Sequence, residues 1–68
     1  MITEDKFRKY VEVQIEGKYN MLTNDAMLAT GLSKNDYIEI IQNFVKYYYK
    51  FLTVFKEVEL KYAKNLKI

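Results

Sequence analysis

The sequence predicts an all-α fold: a small three-helix domain of two short helices and one long C-terminal helix, packed or intertwined as a homodimer. Three observations predict it. From Ser33 onward the chain contains neither Gly nor Pro. Over that stretch Tyr37, Ile41, Phe44, Tyr48, Phe51, Phe55, Val58 and Tyr62 recur at alternating steps of four and three. That 3.5-residue period marks a helix packed lengthwise on other helices. The two glycines of the chain, Gly17 and Gly31, each close a stretch of helical patterning.

Helix 1 is predicted over about residues 4–16. Thr3 is placed to cap it, and Glu4 and Asp5 put negative charge in its first turn, where the helix dipole favours it. Phe7, Tyr10, Val11, Gln14 and Ile15 form an i, i+3/i+4 face. Gly17 then ends the helix, because only Gly takes the left-handed conformation without a Cβ clash. Lys18 to Leu22 make a short connector with apolar residues turned inward. Helix 2, about residues 24–30, is capped by Thr23 or Asn24, carries Ala26, Met27 and Ala29, and stops at Gly31. Ser33-Lys34-Asn35-Asp36 has the capping-box form, with Asp where Glu or Gln is usual, and opens helix 3 over about residues 34–66. No strand signal separates these elements, and residues 1–68 read as a single helical domain.

A continuous third helix is about 35 residues and roughly 50 Å long at ~1.5 Å per residue. Ile38, Val45 and Leu52 flank its seam on one side, and Ile40, Tyr47 and Val54 on the other. So wide an apolar face suits burial among several helices. Residues 37–55 read as core, and residues 56–67 as a projecting amphipathic tail with Val58, Tyr62 and Leu66 on a narrow stripe. The short front half cannot cover such a rod, which predicts an oligomer interface of Ile41, Phe44, Tyr48, Phe51, Phe55, Val58 and Tyr62. A competing reading breaks the helix near Tyr47-Tyr48-Tyr49, whose aromatic residues, with Thr53 and Val54, also suit a strand.

Composition narrows the chemistry. At 68 residues the chain buries too little surface to be comfortably stable alone. It has no Cys and no His. Disulfides, zinc clusters, thiol nucleophiles and imidazole acid–base work are therefore excluded. Asp36 and Glu39 stand one turn apart, but capping and solvation account for them, as for Asp25. No group of oxygen ligands converges on one loop as a hard cation requires, and neither Gly lies in a phosphate-cradling motif. The expectation is a non-enzymatic protein with no cofactor and no catalytic or metal site. The N-terminal residues have no signal-peptide h-region and no run is long enough to span a membrane, so a cytoplasmic location is expected.

Charge is unevenly divided. Residues 1–43 carry five basic and seven acidic groups, whereas residues 44–68 carry six lysines against Glu57 and Glu59. A basic C-terminal half could meet nucleic acid or an acidic protein, or simply solvate a helix and suit its negative end. Asp25 to Ile40 resembles a helix-turn-helix: a short helix, Gly31-Leu32-Ser33 at the turn, then apolar residues at Tyr37 and Ile40. In that family the second helix enters the major groove. Here its exposed residues would be Lys34, Asn35, Asp36, Glu39 and Asn43, a set with no Arg and a net charge of −1. Phosphate attraction supplies most non-specific DNA affinity, and Met27 stands where a small Ala usually packs, so a structural or protein-binding use of the turn is favoured. Lys46-Tyr47-Tyr48-Tyr49-Lys50 interleaves base and aromatic like a single-strand stacking platform, yet in a helix only Tyr49 of the three faces water. Lys34, Asn35, Glu39, Asn43, Lys46, Tyr49 and Lys50 are accordingly the candidate partner or DNA contacts.

Val13-Gln14, Gly17 and Asn20-Met21 carry a further resemblance. They match the Val-Gln-x-x-Gly-x-x-Asn-Met signature of very short proteins encoded by phages and prophages of Gram-positive bacteria. Tyr37 and Tyr49-Lys50-Phe51 match later positions of that family, and Leu22-Thr23 departs from its usual Phe-Asp. The resemblance covers about residues 10–52 and implies a phage origin without a specific activity. With the absent catalytic chemistry and the long apolar helix, the expected function is inhibition or modulation of a host protein by contact. A defence nuclease is a typical target, as in anti-CRISPR or other anti-defence action, within the infected cell. The alternative is a dimeric helix-turn-helix transcription regulator; a virion accessory protein is a third. Expected partners are a second copy and a host protein, with nucleic acid less favoured and no membrane.

Overall fold

A computed structural model describes residues 1–65 of the chain. Five helices follow in order: α1 (Glu4–Glu16), α2 (Asn24–Thr30), α3 (Lys34–Gln42), α4 (Phe44–Lys50) and α5 (Leu52–Asn65). The described residues contain no strand. The ends of α1 and α2 lie where capping chemistry puts them. Thr3 Oγ1 accepts from the Lys6 N–H at 3.2 Å and Thr23 Oγ1 from the Ala26 N–H at 3.4 Å. Gly17 and Gly31 sit in the left-handed region at φ 78° and 74° and end the two helices. Ser33 Oγ accepts from the Asp36 N–H at 3.2 Å and starts α3.

The single long helix predicted over residues 34–66 is instead three helices joined through Asn43 and Phe51. These residues leave the helical region, at φ −126°, ψ 31° and φ −117°, ψ 43°. A straight helix over the described part would reach about 48 Å at ~1.5 Å per residue. The longest dimension of the molecule is 38 Å, so the chain must bend. Asn43 has a local reason to break: its side-chain amide donates to the Glu39 carbonyl at 3.1 Å, competing with the backbone ladder. Phe51 has no such local cause. Its ring packs on Phe7 at 5.7 Å. Both breaks flank the Tyr47–Tyr49 run, which is helical within α4 and not a strand.

Bending brings α5 back along α1. Arg8 pairs with Glu57 at 3.3 Å and Glu12 with Lys61 at 3.0 Å, each separated by 49 positions, so the two helices run parallel. The expected projecting tail is therefore packed on α1 as far as Tyr62; Leu66 and Lys67 of that expected tail lie outside the described residues. Phe7 is the centre of the assembly. Its ring lies 5.7 Å from both Phe44 and Phe51 and 6.4 Å from Tyr47. Tyr10 joins α3 to the same cluster through Tyr37 at 5.3 Å.

This packing overturns the premise that the back half cannot be covered by the front. Val58 of the expected interface is buried inside the chain, and Ile41, Phe44, Tyr48, Phe51, Phe55 and Tyr62 are half-buried against the same core. The best-buried residues of α3–α5 are Tyr37, Ile40, Tyr47, Val54 and Val58. Three of them, Ile40, Tyr47 and Val54, belong to a flank of the 3.5-residue seam and not to the seam itself. The helix series is thus rotated so that this flank lies on α1.

Candidate interaction surface

The α2–turn–α3 unit is held rigidly by short-range hydrogen bonds. The Thr30 hydroxyl donates to the Met27 carbonyl at 2.6 Å and accepts from the Leu32 N–H at 3.1 Å, bracing the Gly31 turn. The Tyr37 hydroxyl donates to the Met21 carbonyl at 2.6 Å and ties the connector down. Lys6 pairs with Asp36 at 2.8 Å, fixing the start of α3 to α1; this hydrogen bond holds the Asp36 carboxyl below its ordinary pKa. Between α2 and α3 opens a cleft of about 180 Å³, lined by Leu22, Met27, Lys34, Tyr37, Ile38 and Ile41. Its volume is of the order that admits one benzene-sized group. Leu22 at its rim is 81% exposed.

The structure separates the candidate contact residues into two groups. Lys34 and Asn35 are exposed at the start of α3. Glu39 is half-buried and accepts a short hydrogen bond from the Tyr47 hydroxyl, which raises the tyrosine's pKa. Asn43 is exposed, with its amide directed to the backbone. Lys46, Tyr49 and Lys50 stand together on the outer side of α4, with Tyr49 70% exposed. Of the residues a groove-reading helix would offer, Asp36 and Glu39 already have partners. The exposed positions of α3 then include Lys34, Asn35, Ile38 and Gln42, a poor match to a phosphate backbone.

A second apolar row accompanies the buried one. Ile38, Ile41, Val45, Tyr48, Leu52 and Phe55 follow at steps of three and four. Ile38 is 39% and Val45 67% exposed, and the other four are half-buried. The row begins at the cleft and runs over α3, α4 and the start of α5. Sequence reasoning named its members but divided them between seam and flank. The signal was present in the excess width of the apolar face: one edge meets α1 and the other meets solvent.

Val13, Gln14, Gly17, Asn20 and Met21 lie in the α1–α2 corner. Val13 is buried, and Gly17 ends α1. The Asn20 side chain accepts from the Leu22 N–H at 2.9 Å, and its carbonyl accepts from the Thr23 hydroxyl at 2.7 Å. Met21 supplies the carbonyl that receives Tyr37. Gln14 Oε1 is buried without a hydrogen-bond partner among the described residues. No group of three or more Asp, Glu, His or Cys residues among those described could hold a metal ion, and no described helix is long and apolar enough to cross a membrane. Compared with protein-family models, curated proteins and solved structures, the chain matches none.

Proposed function

We propose that this chain acts by contact: a small non-enzymatic protein of the phage type that binds and inhibits or modulates a host protein, such as a defence nuclease. The observation that carries the proposal is the partly exposed apolar row from Ile38 to Phe55, with Ile38 and Val45 its exposed members and Ile38 and Ile41 also lining the α2–α3 cleft. Apolar surface left in water on so small a domain is the usual mark of an interaction site. The absence of His and Cys from the sequence supports the non-enzymatic part of the reading.

The test is affinity capture from host lysate with the wild type and with Ile38→Asp/Val45→Asp, checking both proteins for helical content. A partner retained by the wild type and lost by the folded double variant supports the reading; equal retention, or no partner, counts against it. The α2–Gly31–α3 turn favours a second reading, a dimeric helix-turn-helix regulator. Salt-sensitive DNA binding lost on Lys34→Glu would support that one. A homodimer through the predicted seam would use its half-buried members Ile41, Tyr48 and Phe55, which also belong to the outer row. Light scattering at micromolar concentration on wild type and Val45→Asp tests this.

A further inference from the structure

The basic residues whose side chains are described fall into two sets. Lys6, Arg8, Lys9, Lys18 and Lys61 each form an ion pair, and four of the five hold α1 or its junction with α3 and α5. Lys34, Lys46, Lys50 and Lys56 form none among the described residues and are all exposed on α3, α4 and α5. Resting on the protein-binding reading above, we propose that the outer row receives an amphipathic helix of a partner protein, with carboxylates alongside its apolar stripe.

The form of the occupant follows from the row. Within α4, unbroken from Phe44 to Lys50, the exposed Val45 and Tyr49 offer an apolar face along which a helix lies lengthwise. On α4, Val45 and Tyr49 stand one turn apart, and Lys46 and Lys50 repeat that spacing one position further round. An apolar stripe bordered by glutamates would cover the first pair and meet the second. Lys34 lies at the cleft end of the row and Lys56 beyond its far end, extending the same complementarity.

Charge and ring geometry disfavour the other occupants. A second copy would bring its own four unpaired lysines, whereas the only carboxylate of α4 and α5 outside an ion pair among the described residues is Glu59. Like charges brought together disfavour that pairing. Nucleic acid would need free aromatic faces. The Lys46 and Lys50 ammonium groups sit 5.6 Å and 5.4 Å from the Tyr47 and Phe51 ring centres. Tyr48 is held edge-on between Tyr49 at 5.3 Å and Phe55 at 4.9 Å. Tyr49 alone is left, which is not a stacking track.

The experiment is heteronuclear NMR titration of the full chain with three probes. One is a synthetic amphipathic helix with Leu at heptad a and d and Glu at e and g. The second has Lys in place of Glu, and the third is oligothymidylate. The Glu peptide is expected to shift the Ile38, Val45, Lys46, Tyr49 and Lys50 amides, with the other probes at least ten-fold weaker. Lys46→Glu/Lys50→Glu should weaken the Glu peptide at least ten-fold and improve the Lys peptide. Equal binding of the two peptides, tighter binding of oligothymidylate, or a concentration-dependent dimer that buries the row overturns the proposal. Shifts confined to Leu22 and Met27 overturn it while leaving the protein-binding reading standing. No shift anywhere at millimolar peptide overturns it, and loss of host-protein capture in the lysate experiment separately tests the broader reading.

Discussion

Replacing Phe7 with Ala removes a large part of the stability of this fold. Phe7 is fully buried, and three rings surround it: Phe44 and Phe51 at 5.7 Å and Tyr47 at 6.4 Å. Truncating a buried Phe to Ala costs about 3–5 kcal/mol from lost transfer energy and the cavity left behind. Aromatic pairs contribute about 0.5–1.5 kcal/mol beyond area burial, so the upper part of the range applies. A domain of this length has a total stability of roughly 3–10 kcal/mol at about 0.05–0.15 kcal/mol per residue. The loss is therefore comparable with the whole. Urea unfolding followed by far-ultraviolet circular dichroism measures it, with Phe7→Leu as the milder variant if Phe7→Ala is already unfolded in water. Leu22→Ala, at an 81% exposed position, is the control and should stay within about 0.5 kcal/mol of wild type. A Phe7→Ala loss below about 1 kcal/mol at an unchanged m value would show that the ring is not enclosed.

Three further outcomes follow from the same coordinates. Burial, with Tyr37 nearby, pushes the Tyr10 phenol up from 10.0 to about 12. Because the folded value lies above the unfolded one, this contribution is full below pH 10 and is lost as pH rises toward 12; urea midpoints across that window should fall, and less steeply in Tyr10→Phe. Asp36 is shifted the other way by Lys6, so its contribution is present above the ordinary carboxylate value of 3.8 and lost as pH falls through the lower folded value. Lys6→Met should accordingly be less stable than wild type near neutrality, with the gap closing in acid and in high salt. Gly31 has φ 74° and open space where a Cβ would stand; Gly31→Ala should cost about 1–2 kcal/mol from the left-handed backbone alone, and Gly31→Asn less, measured by the same urea titration.

Short-range chemistry explains why the first two helices can be read directly from sequence. Thr3, Gly17, Thr23, Gly31 and Ser33 set their boundaries through groups within three or four residues. The bends in the back half have weaker local signals. Asn43 was a weak sign, since its amide can take a backbone carbonyl. Phe51 carries no local breaking signal, and its ring contact is with Phe7, 44 positions earlier. The candidate surface was readable by the same measure. Lys46, Tyr49 and Lys50 are exposed, as helical spacing through α4 requires. Which edge of the apolar face met α1 was not readable, since the rows ending at Val54 and Phe55 differ by one position and have equal hydrophobic claims.

The parallel pairing of the first and last helices has a consequence for synthesis. Arg8 meets Glu57, and Glu12 meets Lys61, each 49 positions later. A chain emerging from the ribosome cannot close α1 against α5 until all five helices have been made. Such distant closure slows folding relative to a hairpin-connected bundle and leaves sticky intermediates open to chaperones. Release before Val54 would yield a product unable to assemble this interior.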